Sequence, residues 1–153
     1  MISPDCNDLH LDQQLCFKLF TASRLVMKTY QPLLNELSIS YPQYLVMLVL
    51  WELQDKQALP VKLCALEKEL RLDSATLTPL LKQMKEGALI SSKRCPADER
   101  DMDIDLASLG LQLKPMADEW RQARIDDDSL PFALMARLHH DISDLIDWME
   151  QSH

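Results

Sequence analysis

Cysteine is the residue of this chain best suited to chemistry near neutral pH, and it occurs as Cys6, Cys16, Cys64 and Cys95. The spacings are irregular and contain no C-x-x-C pair, which argues against a disulfide framework and against a structural zinc site. Free thiols remain, and a free thiol is either a small buried hydrophobe or a nucleophile acting as its thiolate. With an ordinary thiol value of about 8.5, little of it ionises at neutral pH unless neighbours stabilise the anion. Cys16 lies between Leu15 and Phe17, with Lys18 as its basic neighbour. Cys64, among Leu63, Ala65 and Leu66, is expected to be buried filler. Cys95, beside Arg94, is expected to be accessible. The histidines (His10, His139, His140, His153) form no H-E-x-x-H or similar arrangement, so neither a metal site nor a cofactor is expected.

Charge points to a second function. The formal net charge is −8, which by itself disfavours a nucleic-acid partner. From Lys62 to Arg100, however, eight Lys/Arg face six Asp/Glu, a local net of +2, and the rest of the chain carries −10. Positive charge is needed only where phosphates are met, so the middle segment is the candidate contact surface.

These residues need positioning. A chain of 153 residues, 47% hydrophobic and with two glycines, Gly87 and Gly110, should fold as a mainly helical protein. Its longest apolar run, Tyr44 to Trp51, is too short to cross a bilayer, and no signal peptide is visible at the N-terminus. No membrane partner is expected, and a cytoplasmic location is. Leu11, Leu15, Leu19, Phe20, Val26 and Met27 mark a first helix over about 8–30, which Pro32 ends or kinks. A second helix, about 42–54 with Pro42 in its first turn, is apolar nearly all round, so Tyr44 and Trp51 read as core. Pro60 opens a third, about 60–71, with Val61, Leu63, Ala65, Leu66 and Leu70 inward. Asp73 or Ser74 caps a fourth, whose inward face is Leu77, Leu80, Leu81 and Met84 and whose C-cap is Gly87. A strand over 88–94, a turn over 95–99 and a strand over 102–106 form a β-hairpin. Helices over about 107–125 and 129–150 close the chain. The last carries Leu130, Leu134, Leu138, Ile142, Leu145, Ile146 and Met149, a stripe wide enough to require a partner chain.

Two consecutive short helices followed by a two-stranded wing is winged helix-turn-helix organisation. The expected fold is thus mainly α with a small β-hairpin wing, homodimeric through N- and C-terminal helices (about 8–35 and 107–150). A single domain over 1–153 is expected, with a DNA-binding lobe over about 42–106. The recognition helix would enter the major groove with Ser74, Ala75, Thr76, Thr78 and Lys82 exposed. Lys93 and Arg94 would add phosphate contacts from the wing.

Three stretches carry a resemblance: Gln14-Leu15-Cys16-Phe17 with Ala22-Ser23-Arg24; Tyr30-Gln31-Pro32-Leu33-Leu34 with Ile39-Ser40-Tyr41-Pro42-Gln43-Tyr44-Leu45 and Leu50-Trp51-Glu52; and Leu72 to Lys82 with Gly87 and Asp98-Glu99-Arg100. Together they resemble the peroxide-sensing regulators of the MarR family. The resemblance runs from about residue 11 to residue 106. It implies that Cys16 is the redox sensor and that the Tyr30 and Tyr41 hydroxyls, protonated donors at neutral pH, hydrogen-bond its sulfur. Fourteen residues span about 21 Å of helix, so either the chain folds back or the tyrosines come from a second subunit, as in the similar regulators. It further implies a repressor released from operator DNA when organic hydroperoxide oxidises Cys16. No cysteine follows Cys95, so a low-molecular-weight thiol is the expected resolving partner, with Cys6 as the outside candidate. Arg100 resembles the wing residue that reaches the minor groove, oriented by Asp98. The chain departs from the family pattern at Ala75 (Gly in similar regulators), at Gln83 (Arg) and in the acidic Asp103 and Asp105. Those departures imply weaker, less salt-dependent DNA binding.

Plainer readings stand beside these. Tyr30 and Tyr41 can be interface aromatics, and Lys82 and Lys85 can be solvating charges. The competing functions are a small-ligand-responsive MarR-type repressor with Cys16 incidental, a thiol peroxidase and an acidic interaction protein. No enzymatic activity is expected.

Overall fold

The computed structural model of the chain describes residues 9–125 and 131–152. Cys6, Leu130, His153 and the side chains of Asp98 and Glu99 lie outside the described residues. After a 3-10 turn (Leu11–Gln13) come α1 (Leu15–Leu37), α2 (Tyr41–Asp55), β1 (Val61–Lys62), α3 (Leu63–Leu70), α4 (Ser74–Glu86), β2 (Ile90–Cys95), β3 (Asp98–Leu106), α5 (Ser108–Ile125) and α6 (Phe132–Gln151). The expected order of four helices, wing and two helices is borne out. Two compact units divide the chain, one reaching Ala117 and one starting at Asp118.

In the first unit α1 begins at Leu15, later than expected, and Pro32 does not end it. Proline forfeits one backbone bond and crowds the preceding turn, at a cost of about 3 kcal/mol. Beyond it Leu33, Leu34 and Leu37 are buried, each contributing about 1.5–3 kcal/mol. Their burial outweighs the break, and the helix continues until Ser38 turns left-handed at φ 56°. The N-terminal half of α1 is different: Leu15, Phe17, Phe20, Leu25 and Val26 are all exposed.

A capping box starts α2, with the Gln43 N–H donating to the Ser40 hydroxyl (3.3 Å) and the Ser40 N–H to Gln43 Oε1 (3.0 Å). That satisfies two donors at the helix entrance and sets Tyr41 as the first helical residue. From α2, Tyr44, Val46, Met47, Leu50 and Trp51 form the centre of the core. Leu66 of α3, Leu77, Leu81 and Met84 of α4, and Ile90 and Ile104 of the sheet close around them. Trp51 Nε1 donates to the Gly110 carbonyl at 2.9 Å, pinning the start of α5 to α2.

The wing is larger than a hairpin. Three antiparallel strands lie in the order β1-β3-β2, with Val61 opposite Ile104 and Lys62 opposite Asp103. Pro60 therefore precedes a strand rather than opening a helix, and α3 starts three residues later than expected. Of the residues expected inward there, only Leu66 is fully buried and Ala65 is exposed. Strand β3 begins at Asp98, within the segment expected to be a turn.

The second unit comprises the end of α5 and α6. Arg124 stacks 4.6 Å above the Trp120 ring, a cation–π contact. On α6, Leu134, Leu138, Ile142, Ile146 and Met149 are exposed. Among the described residues no helix is long and apolar enough to cross a membrane.

Candidate sensor and nucleic-acid interface

Tyr30 on α1 and Tyr41 at the head of α2 meet edge to face, their ring centroids 5.8 Å apart. Tyr44 lies 6.0 Å from Tyr30 and 6.4 Å from Tyr41, and Trp51 continues the stack at 6.3 Å from Tyr44. The capping box and the buried leucines around Pro32 fix the two helices, so the phenols are brought together by the fold rather than by proximity in the chain. Burial, and then the neighbouring Tyr30 phenol, push the Tyr41 hydroxyl above its ordinary value of 10.0. It therefore stays a protonated donor throughout the neutral range.

Cys16 is the second residue of the same α1 that carries Tyr30, and it is exposed. Fourteen residues of continuous helix separate the two by about 21 Å. The structure brings Tyr30 and Tyr41 together and does not bring Cys16 to them within one chain. Of the two routes open to the sequence, folding back is excluded by the uninterrupted helix.

The other two described cysteines reverse their expected environments. Cys95 is buried, not accessible. The register with β3 slips between Arg94, opposite Met102, and Cys95, opposite Asp98, so the alternation that would place Cys95 outward with Ser91 and Lys93 does not hold there. Cys64 is exposed, not filler. It occupies the first turn of α3, where its Sγ donates to Asp101 Oδ2 at 3.1 Å and its N–H to Asp101 Oδ1 at 3.3 Å. Asp101 also accepts the N–H of Met102 at 2.9 Å. The hydrogen bond to Asp101, with desolvation and the carboxylate charge, holds the Cys64 thiol above its ordinary value. The same bond lowers Asp101. No sequence signal marks Asp101, because Asp101, Asp103 and Asp105 share one side of β3 and only strand pairing decides which of them meets α3.

On α4, Ser74, Ala75, Thr76, Thr78 and Lys82 are all exposed, as expected, and so are Lys93, Arg94 and Arg100 on the wing. The cap is Asp73, which accepts the Thr76 N–H at 2.8 Å. Pro79 falls at the sixth helical position, so it removes the backbone donor that would have met the Ala75 carbonyl. Gly87 ends the helix at φ −81°, and the left-handed residue is Ala88 at φ 61°. Lys85 Nζ reaches the Ser92 carbonyl at 3.4 Å, tying α4 to β2. Asp103 lies opposite Lys62 on one side and Lys93 on the other, so its carboxylate offsets cationic charge on the wing.

The bonds from the Thr76 backbone and hydroxyl lower Asp73 below its ordinary 3.8. A lowered folded value means stabilisation that is complete above the unfolded value and lost as pH falls through the folded one. Asp73→Ala is accordingly expected to lower Tm by a constant amount at neutral pH. Thermal unfolding of both proteins should show that gap closing as the pH drops below about 4.

Residues 28–114 match the family model of the transcriptional regulator SarA/Rot. The organic hydroperoxide resistance transcriptional regulator of Bacillus subtilis (strain 168) is 47% identical over 109 residues, which cover 71% of each chain. Reduced AbfR bound to DNA has the same fold with a TM-score of 0.74 at 29% identity, over 91% of this chain and 94% of that one. The disulfide form of AbfR, a Staphylococcus epidermidis protein, gives 0.63 at 32% identity over 89% and 92%. The expected resemblance to organic-hydroperoxide regulators is therefore borne out. With its helix-turn-helix, three-stranded wing and these relatives, the chain belongs to the SarA/Rot family of MarR-type winged-helix transcriptional regulators.

Proposed function

We propose that the protein is a homodimeric repressor that releases operator DNA when organic hydroperoxide oxidises Cys16. The observation that carries this reading is the pairing of Tyr30 on α1 with Tyr41 on α2, ring centroids 5.8 Å apart, about 21 Å along α1 from its own cysteine. A second copy supplies the sulfur that they hold. Exposed apolar faces on α1 (Leu15, Phe20) and on α6 (Leu138, Ile142) are the kind of surface a second copy covers. The relative at 47% identity is named for organic hydroperoxide resistance, and AbfR has been captured both reduced on DNA and as a disulfide.

The chemistry is two-electron. The Cys16 thiolate attacks the outer peroxide oxygen, an S–O bond forms as the O–O bond breaks, and the alkoxide leaves as the alcohol after taking a proton. The sulfenic acid then condenses with a low-molecular-weight thiol, giving a mixed disulfide and water. The enlarged side chain no longer fits between the two phenols, the subunits rotate, and the paired recognition helices lose their spacing. In the reduced dimer, Ser74, Ala75, Thr76, Thr78 and Lys82 face the major groove. Lys93 and Arg94 meet phosphates, while Arg100 reaches the minor groove.

Gel-shift titration on DNA flanking the protein's own gene tests the reading. Wild type should be released by cumene hydroperoxide plus a small thiol, and Cys16→Ser should bind equally well but stay bound. Release of Cys16→Ser by the oxidant would overturn the assignment.

A further inference from the structure

Three cysteines are described, and a peroxide sensor works cleanly only if one of them reacts. Burial shields Cys95. Cys64 has no such protection, since it is exposed, like Cys16, and sits in the first turn of α3. Its one distinguishing feature is the carboxylate of Asp101, which reaches from β3 and takes both its S–H (3.1 Å) and its N–H (3.3 Å). We propose that, between the two exposed thiols among the described residues, Asp101 confines oxidation to Cys16, by accepting the Sγ–H bond of Cys64 and so holding it in its unreactive protonated form. The inference rests on the redox reading above and deepens it.

The electrostatics act in one direction. Ionising Cys64 would place a thiolate against a carboxylate and break the S–H···O bond at once. The groups opposing this are the charge of Lys62 on β1 and the backbone N–H of Ala65 on α3, and both are outweighed. Lys62 also acts on Asp101 itself, helping to keep it ionised and accepting. The same carboxylate receives the first-turn N–H of α3, so the residue that silences the thiol also joins α3 to the wing. Asp101 thus acts as a positioning residue for Cys64 and takes no part in the reaction at Cys16.

The test is site-resolved alkylation with iodoacetamide across a pH series, read by peptide mass spectrometry on the full-length protein. In this reaction the thiolate forms the S–C bond, iodide leaves and the thiol proton goes to buffer. In native wild type, Cys64 should require a higher pH than in the same chain unfolded in urea, a comparison that needs no variant to fold. In Asp101→Asn the Cys64 profile should move back toward the unfolded one, raising its rate near neutral pH at least about threefold, while the Cys16 profile stays unchanged. After cumene hydroperoxide, oxidised Cys64 peptides should appear in the variant and be missing from wild type. A native Cys64 profile no higher than the unfolded one, or one unmoved by Asp101→Asn, overturns the role of Asp101 while leaving Cys16 as the sensor. Failure of Cys16 itself to oxidise overturns the sensor, and the confinement with it, even where the Cys64 profile is displaced.

Discussion

Gly110→Ala is expected to destabilise the protein by about 2–3 kcal/mol. A Cβ at Gly110 would lie 2.2 Å from the Leu89 carbonyl oxygen, 3.0 Å from Met47 Cε and 3.2 Å from Leu106 Cδ2. The two side chains can yield, but the carbonyl cannot. It already accepts the Ala107 N–H at 3.0 Å, while the Leu89 N–H donates to Met84 at 3.0 Å. Alanine would gain about 1 kcal/mol of helix propensity over glycine, and the displaced backbone outweighs that gain. Moving α5 also strains the Trp51 bond to the Gly110 carbonyl, which joins the wing's exit to the core. Thermal unfolding at fixed protein concentration should show Tm falling on the order of 5–10 °C. An unchanged Tm would mean that α5 does not approach Leu89 this closely.

Removing both phenolic hydroxyls should slow the oxidation of Cys16 by about tenfold or more. A hydrogen bond to a charged acceptor contributes about 1.5–3 kcal/mol, and the thiolate is the reactive form. Tyr30→Phe with Tyr41→Phe keeps both rings and their 5.8 Å edge-to-face contact, so the fold is preserved and only the donors are lost. Loss of free thiol after cumene hydroperoxide measures the rate directly. Mixed dimers then test the geometry. A Cys16→Ser subunit paired with a doubly Phe-substituted subunit regenerates one complete sensor only if sulfur and phenols come from different chains. Fast oxidation in the mixed dimer, against slow oxidation in the doubly substituted homodimer, is the result expected from the length of α1. No recovery in the mixed dimer would place each sensor within one subunit.

The local pattern of residues was sufficient for six helices, for Pro42 in the first turn of α2, for a cap at Asp73 or Ser74 and for the exposed face of α4, since helix periodicity and caps are properties of neighbours in the chain. The quoted stretches around Cys16, Tyr30, Tyr41 and Arg100 were likewise enough to identify the family. What depends on residues far apart was decided only by the tertiary structure. Strand β1 is two residues long, too short for any period, and exists because β3 offers an edge to pair with. Burial of Leu33, Leu34 and Leu37 carries α1 past Pro32, an outcome that the proline alone argued against. Cys95 is buried beside a slip in strand register, and strand pairing delivers Asp101 to Cys64. In each case a non-local pairing or packing energy exceeds the local preference, and that energy cannot be assigned until the partner's position is known.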